Sequence, residues 1–196
     1  DVIPLGIELK SILSRSGLSA EELKALADGI NSGGYNDQAF MFKGMRIAPY
    51  GKGWTFLQTS NIDLSQYAEG TGWTPISTNG FEGTYDGQDH VITGLTINNA
   101  STSNIGLFSK NYGTIQNLSV EGGKIAGFEW TGGIVGENYG TIQNVHMTGC
   151  DIQGNSFTGG IAGLSVGIVR NCSVTGVIDA GGVADISGAV GGIVGY

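Results

Sequence analysis

Proline is nearly missing from the chain, with three in 196 residues, while glycine reaches 36. Glycine at every third position with abundant proline would mean collagen, and mixed Pro/Gly low complexity would mean disorder. With so little proline and no such triplet pattern, neither composition applies. Charge is scarce as well: charged residues make up 13 %, about half the usual share. The hydrophobic fraction of 40 % still suffices for a core. A largely helical protein is excluded, because each glycine inside a helix costs roughly 1 kcal/mol relative to alanine. Most of these glycines therefore belong to turns.

Positive charge is the scarcer sign, nine Lys and Arg against seventeen Asp and Glu, for a net −8. With no Lys/Arg cluster, the chain offers no footprint for a phosphate backbone or an anionic lipid surface. Nucleic acid is excluded as a partner. No stretch approaches the ~18 apolar residues of a spanning helix, so no membrane insertion is expected of this segment. The start, Asp1-Val2-Ile3-Pro4, is not a signal peptide. A processed N-terminus would read the same, so this does not argue for the cytoplasm. Two cysteines, Cys150 and Cys172, fit neither a disulfide scaffold nor a paired-cysteine metal site.

What is present divides at about residue 39. In the first part, Ser19 with Glu22 forms a capping box, and Leu23, Leu26, Ala27 and Ile30 make one apolar stripe. This predicts a helix over 19–31, stopped by Gly33-Gly34. So short a helix is marginal alone, and the open end of a β structure is the surface it would cover.

From residue 40 to 196 the signals are short, β-like and repeated. Gly113-Thr114-Ile115-Gln116-Asn117-Leu118-Ser119-Val120 returns as Gly140-Thr141-Ile142-Gln143-Asn144-Val145-His146-Met147. It returns again as Gly167-Ile168-Val169-Arg170-Asn171-Cys172-Ser173-Val174, and the interval is the same both times. Gly133-Ile134-Val135-Gly136 recurs as Gly160-Ile161-Ala162-Gly163 at that interval too. Its next copy, Gly192-Ile193-Val194-Gly195, comes slightly later, the extra length falling around 180–188. Upstream, Val91 to Ile97 reads as the same strand, with Ile92 a somewhat shorter interval before Ile115. A period of roughly 20 to 50 residues marks a stacked, quasi-one-dimensional architecture. Each unit holds three short apolar pieces, too short for helical repeats. Three strands at ~3.3 Å per residue, joined by bends, fill one coil.

The expected fold is all-β: a right-handed parallel β-helix (β-solenoid) of three short strands per coil and about six coils, with an N-terminal capping helix. Residues 1–39 form the helical cap and 40–196 the solenoid, together one compact unit. Ile115, Ile142 and Val169 should stack in one inward file, and Gln116, Gln143 and Arg170 in an outward one. Asn117, Asn144 and Asn171 break the alternation and belong at a bend, each amide bonding the next. The chain stops on a full copy of the repeat's first strand, so continuation of the same chain beyond Tyr196 is expected.

The Gly-Ile-hydrophobic-Gly units at 133–136, 160–163 and 192–195 resemble the GLUG repeat of bacterial surface proteins. Gly106-Leu107-Phe108-Ser109 differs only at its last position. Trp73-Thr74-Pro75-Ile76, Phe81 to Ile92, Asn61 to Ser65 and the helix itself resemble the lead-in to such repeats. The resemblance implies a bacterial, extracellular or cell-surface, adhesin-like module with a glycan or host surface protein as partner. It supplies no catalytic residue to carry over.

Glycan chemistry on such a fold needs outward carboxylates converging over adjacent coils, with a base or cation. Asp151 and Asp179, just over one period apart, would be neighbours on successive coils, with Lys124 at the equivalent place in the coil before. Asp86, Asp89 and His90 form the densest polar cluster and read either as a hydrolytic or Ca²⁺ site or as an ordinary turn. Neither metal nor cofactor is expected, and no residue is assigned a catalytic role. The aromatic residues Trp130, Phe128 and Phe157 fall near one bend, Phe157 one period after Trp130. They form either an exposed platform for a ligand or a seal folded over the corner. Trp73 with Tyr85 is a second ligand-binding candidate. A non-catalytic module that acts as a rigid stalk or presents a surface is the first expectation; a glycan-active hydrolase or lyase using Asp151/Asp179 or Asp86/Asp89 is the alternative.

Overall fold

The computed structural model of the protein describes residues 19–32, 38–181 and 189–196. The predicted Gly33-Gly34 stop and the turn at 182–188 lie outside the described residues. Helix α1 spans Ala20–Ser32. Its capping box closes both ways: the Glu22 amide donates to Ser19 Oγ at 3.2 Å, and the Ser19 amide donates to Glu22 Oε2 at 3.3 Å. The apolar stripe Leu23, Leu26, Ala27 and Ile30 is buried in the common core. Asn31 ties the helix to the first coil, donating from Nδ2 to the Pro75 carbonyl at 3.1 Å and accepting from the Thr78 amide at 3.2 Å. The Phe40 ring lies so close to Gly29 that a Cβ there would overlap it, which explains a glycine inside the helix.

An antiparallel hairpin follows, Phe40–Phe42 with Met45–Ile47. Apart from it and one isolated bridge, Gly72 with Ile97, the described strands pair in parallel. The chain is an all-β parallel solenoid closed at its N-terminal end by α1. One inward file runs Phe56, Tyr85, Ile115, Ile142, Val169 in register. A second runs Ile62, Ile92, Val120, Met147, Val174. Each file counts five rungs, so among the described residues the stack has five coils, against an expectation of about six. The segment 40–47, expected to begin the first coil, is the hairpin instead, and its two strands pair with each other.

The shorter interval expected before Ile115 does not hold. Ile92 sits against Val120, and Tyr85 is the residue under Ile115. Between Asp86 and His90 two extra residues loop out of the ladder, with Gln88 and Asp89 at φ 48° and 61°. A tyrosine occupies the file position held by isoleucine later, and the bulge hides the period. Three sheets line the coil, as expected in number but not in division. The Ile-Gln-Asn strand and the Lys124–Ala126 strand share one bent sheet, and Glu129–Gly132 with Ser156–Gly159 and Val190–Gly191 form a separate one.

Two side-chain features fix the bends. Asn117, Asn144 and Asn171 all take left-handed backbone, φ 51–53°, where asparagine is tolerated far better than bulkier residues. Asn171 Nδ2 donates to Asn144 Oδ1 at 3.2 Å, and Asn144 Nδ2 to Asn117 Oδ1 at 3.0 Å. The final glycine of each Gly-Ile-hydrophobic-Gly unit has a different cause. A Cβ on Gly136, Gly163 or Gly195 would drive into the backbone of Asn104, Trp130 or Phe157, the corner of the coil below. The motif is thus the imprint of two coils in backbone contact.

Replacing Asn144 by Ala removes both ladder bonds and leaves at positive φ a residue that tolerates it less well than asparagine, a combined cost of about 2–3 kcal/mol. Asn144→Gly, which relieves the backbone but not the bonds, should lose clearly less. Urea denaturation midpoints of the two variants check the order; equal losses would remove the backbone part of the account.

Candidate functional site

The solenoid presents outward faces of different character. On the Gln/Asn face the polar groups are spent on one another. Gln143 Nε2 donates to Gln116 Oε1 at 2.8 Å, and Arg170 Nε donates to Gln143 Oε1 at 2.8 Å. Both this ladder and the asparagine ladder end on Asp86, whose carboxylate accepts from Gln116 Nε2 at 2.9 Å, Asn117 Nδ2 at 3.1 Å and the Gln88 amide at 2.9 Å. Asp86 is therefore a ladder terminus at the start of a bulge within the strand Thr84–Thr93, where positive φ falls on Gln88 and Asp89. Among the described residues, no group of three or more His, Cys, Asp or Glu could hold a metal ion.

Asp151 and Asp179 are not on one rung. Asp151 pairs with Lys124 below and Val177 above, while Asp179 pairs with Gln153. Their spacing exceeds the repeat interval by one residue, and a register shift between Met147 and Cys150, which shortens the local interval by one more, sets them two positions apart along the strand. Cys150 and Cys172 are both free; Cys150 is buried and bonds the Thr175 carbonyl through Sγ at 3.3 Å. Burial pushes both thiols above the ordinary thiol range.

The aromatic candidates separate. Trp73 and Tyr85 are each 1 % exposed and belong to the core, so neither offers a face to a ligand. The Trp73 indole N–H reaches the Leu107 carbonyl at 3.2 Å, and the Tyr85 hydroxyl donates to Gln58 Oε1 at 3.0 Å. Burial raises the Tyr85 hydroxyl well above the usual phenol range. Trp130 and Phe157 are half-buried and occupy matching left-handed positions, φ 49° and 51°, within strands rather than in a loop. Phe157 packs edge-on against Tyr196, ring centroids 5.3 Å apart. Phe128 is exposed, at 37 %. It lines a shallow cleft of about 580 Å³ together with Ala126, Gln153 and Asp179.

A second aromatic site stands on another corner. Tyr112 and Tyr139, one period apart, are 51 % and 39 % exposed and stack with centroids 5.0 Å apart and planes within 9°. Beneath them Asn111 Nδ2 donates to Asn138 Oδ1 at 2.8 Å, and Asn138 Nδ2 to Ser165 Oγ at 3.0 Å, a buried second ladder. The sequence signal was available. The run Asn-Tyr-Gly-Thr-Ile-Gln-Asn is identical at 111–117 and 138–144, although a repeat begun at the glycine omits its Asn-Tyr. Gly163-Leu164-Ser165-Val166-Gly167 matches the Gly-x-Ser-x-Gly pattern of nucleophile elbows. It lies along and just beyond a parallel strand instead of at a strand-to-helix turn, and Ser165 Oγ is engaged in the ladder. Lys110 Nζ pairs with Glu137 Oε1 at 3.1 Å, and Glu137 Oε2 accepts a short bond from the Tyr139 hydroxyl.

No family model matches the chain. Over 78 residues it is 40 % identical to a protein of Evansella cellulosilytica described as a "Putative Gly-rich membrane protein"; the match takes in 37 % of this chain and 9 % of that protein. It is similar to a crystal structure described as a putative immunoglobulin A1 protease from Bacteroides ovatus, with TM-score 0.47 and 21 % identity. That alignment covers 72 % of this chain and 55 % of the other. Neither likeness places the chain in a family. Among the described residues no helix is long and apolar enough to cross a membrane.

The bond to Glu137, with burial and the nearby carboxylate charge adding to it, pushes the Tyr139 hydroxyl up to about 12. A phenol raised in the folded state gives stability that is complete below its unfolded value and is lost as pH climbs through the folded one. Tyrosinate absorbance should therefore show this residue titrating near 12, and Glu137→Gln should bring it back toward the ordinary value of about 10. An unchanged titration curve in that variant would remove the assigned cause.

Proposed function

We propose that this chain is a rigid, non-catalytic solenoid module that presents a ligand-facing surface on a bacterial secreted or cell-surface protein. The observation carrying the proposal is the set of cross-coil side-chain ladders. Asp86, Gln116, Gln143 and Arg170 on one file and Asn117, Asn144 and Asn171 on the next make successive coils brace one another beyond their backbone pairing. A stack braced along its length holds surface groups at fixed spacing, which suits display or spacing. Support of a second kind comes from the Gly-Ile-hydrophobic-Gly units, which resemble the GLUG repeat of surface adhesins. The 78 residues aligned with a protein named for its glycine content and membrane setting point the same way.

The alternative reading, a glycan-active hydrolase or lyase, requires two carboxylates aimed at one point. The Asp86 carboxylate is occupied by three donors. Asp151 and Asp179 stand on different residue files. That geometry favours binding over bond cleavage.

A glycan-array screen run beside a reducing-sugar release assay tests the reading. Retention of one or more glycans without new reducing ends is the expected result. Sugar release that disappears on Asp86→Asn or Asp151→Asn would replace the module with an enzyme.

A further inference from the structure

One outward face differs from the braced one in how its polar groups are used. It is formed by Thr96–Asn98, Lys124–Ala126, the Asp151–Gln153 portion of the strand Thr141–Gly154, and Val177 to Asp179. Two depressions of about 580 and 250 Å³ adjoin here, both lined by Ala126 and Gln153. The alanine between Asn98 and Gln153 in the file leaves the trough between them. Phe128 stands at one side, exposed and outside every ring pair formed by the described aromatic residues. Among Asn98, Lys124, Asp151, Gln153 and Asp179 the described side-chain bonding reduces to one long contact, Gln153 Nε2 to Asp151 Oδ1 at 3.4 Å. On the Gln/Asn face the equivalent amides are bonded coil to coil at 2.8–3.2 Å. Here donors and acceptors converge on a groove with their capacity unfilled, beside an aromatic ring.

The chemistry selects among ligand classes. A peptide that adds a strand needs a free strand edge, and this groove lies on the face of a sheet whose strands are already paired. A polyanion, whether nucleic acid or uronate polymer, would meet two carboxylates, Asp151 and Asp179, against one cation, Lys124. A neutral sugar chain meets neither objection: its hydroxyls both give and accept hydrogen bonds, and its apolar ring face can lie on phenylalanine. We propose that the groove bounded by Asn98, Lys124, Phe128, Asp151, Gln153 and Asp179 binds a neutral oligosaccharide running across successive coils. This deepens the display reading above and rests on it for the absence of turnover.

The test is calorimetric and NMR titration of the chain with cellohexaose, maltohexaose and N-acetylchitohexaose, with oligogalacturonate as the acidic comparator. At least one neutral hexamer should bind, with shifts centred on Gln153 and Phe128, and oligogalacturonate should bind at least tenfold more weakly. Phe128→Ala and Gln153→Ala should each weaken binding about tenfold, a loss of about 1.4 kcal/mol, while Gln143→Ala on the braced face should leave it within twofold. Circular dichroism of each variant separates lost binding from lost fold. Failure of all three neutral probes, equal affinity for the acidic one, or indifference to Phe128→Ala and Gln153→Ala would overturn the groove. New reducing ends from a bound hexamer would instead overturn the non-catalytic reading and leave the groove standing.

Discussion

Parallel pairing of one coil on the next, at the ~4.8 Å spacing of neighbouring strands, is the constraint on which the molecule depends. It brings main chain against main chain at the corners where each Gly-Ile-hydrophobic-Gly unit ends. Positions facing the coil below therefore have no room for a Cβ, as at Gly136, Gly163 and Gly195. It also places identical residues over each other, so a side chain that can both give and accept a hydrogen bond is favoured wherever it recurs. The glycines that end each Gly-Ile-hydrophobic-Gly unit and the asparagine and glutamine files follow from that one distance.

The same stacking needs protection at its start, where a coil has no predecessor. Helix α1 supplies it with a face of leucine, isoleucine and alanine, held by Asn31 to the Pro75 and Thr78 backbone. Lys43 adds an ion pair to Glu22 at 2.6 Å, fastening the hairpin turn to the helix's first turn. Such partly exposed pairs contribute little on their own, and the apolar face carries the docking.

Much of this could be read from the residues because the last three coils are near copies. Ile115, Ile142 and Val169 stack as their spacing required, the capping box closes, and the asparagines sit at left-handed bends. Earlier coils were harder to read for a physical reason. Tyr85 fills more of the interior than isoleucine and replaces it in the file, and the bulge at Gln88-Asp89 changes the count. Aromatic residues were ambiguous for another reason: Trp73 and Tyr85 have buried polar partners that lie far away in sequence, Leu107 and Gln58, and no local pattern announces these. The groove beside Phe128 depends on which rung each acid joins. The shift after Met147 decides that, and the repeat interval alone does not.

A stack closed at one end by a helix and built upward from it has a direction. Whole repeat units can be inserted or deleted between coils without touching the helix or its anchors, since each coil meets only its neighbours. Each such event would lengthen or shorten the rod by one strand spacing while repeating or removing a whole set of surface groups. Reach and the number of equivalent contact positions would then change together, so natural variation in repeat number would tune avidity and distance from the cap in the same step.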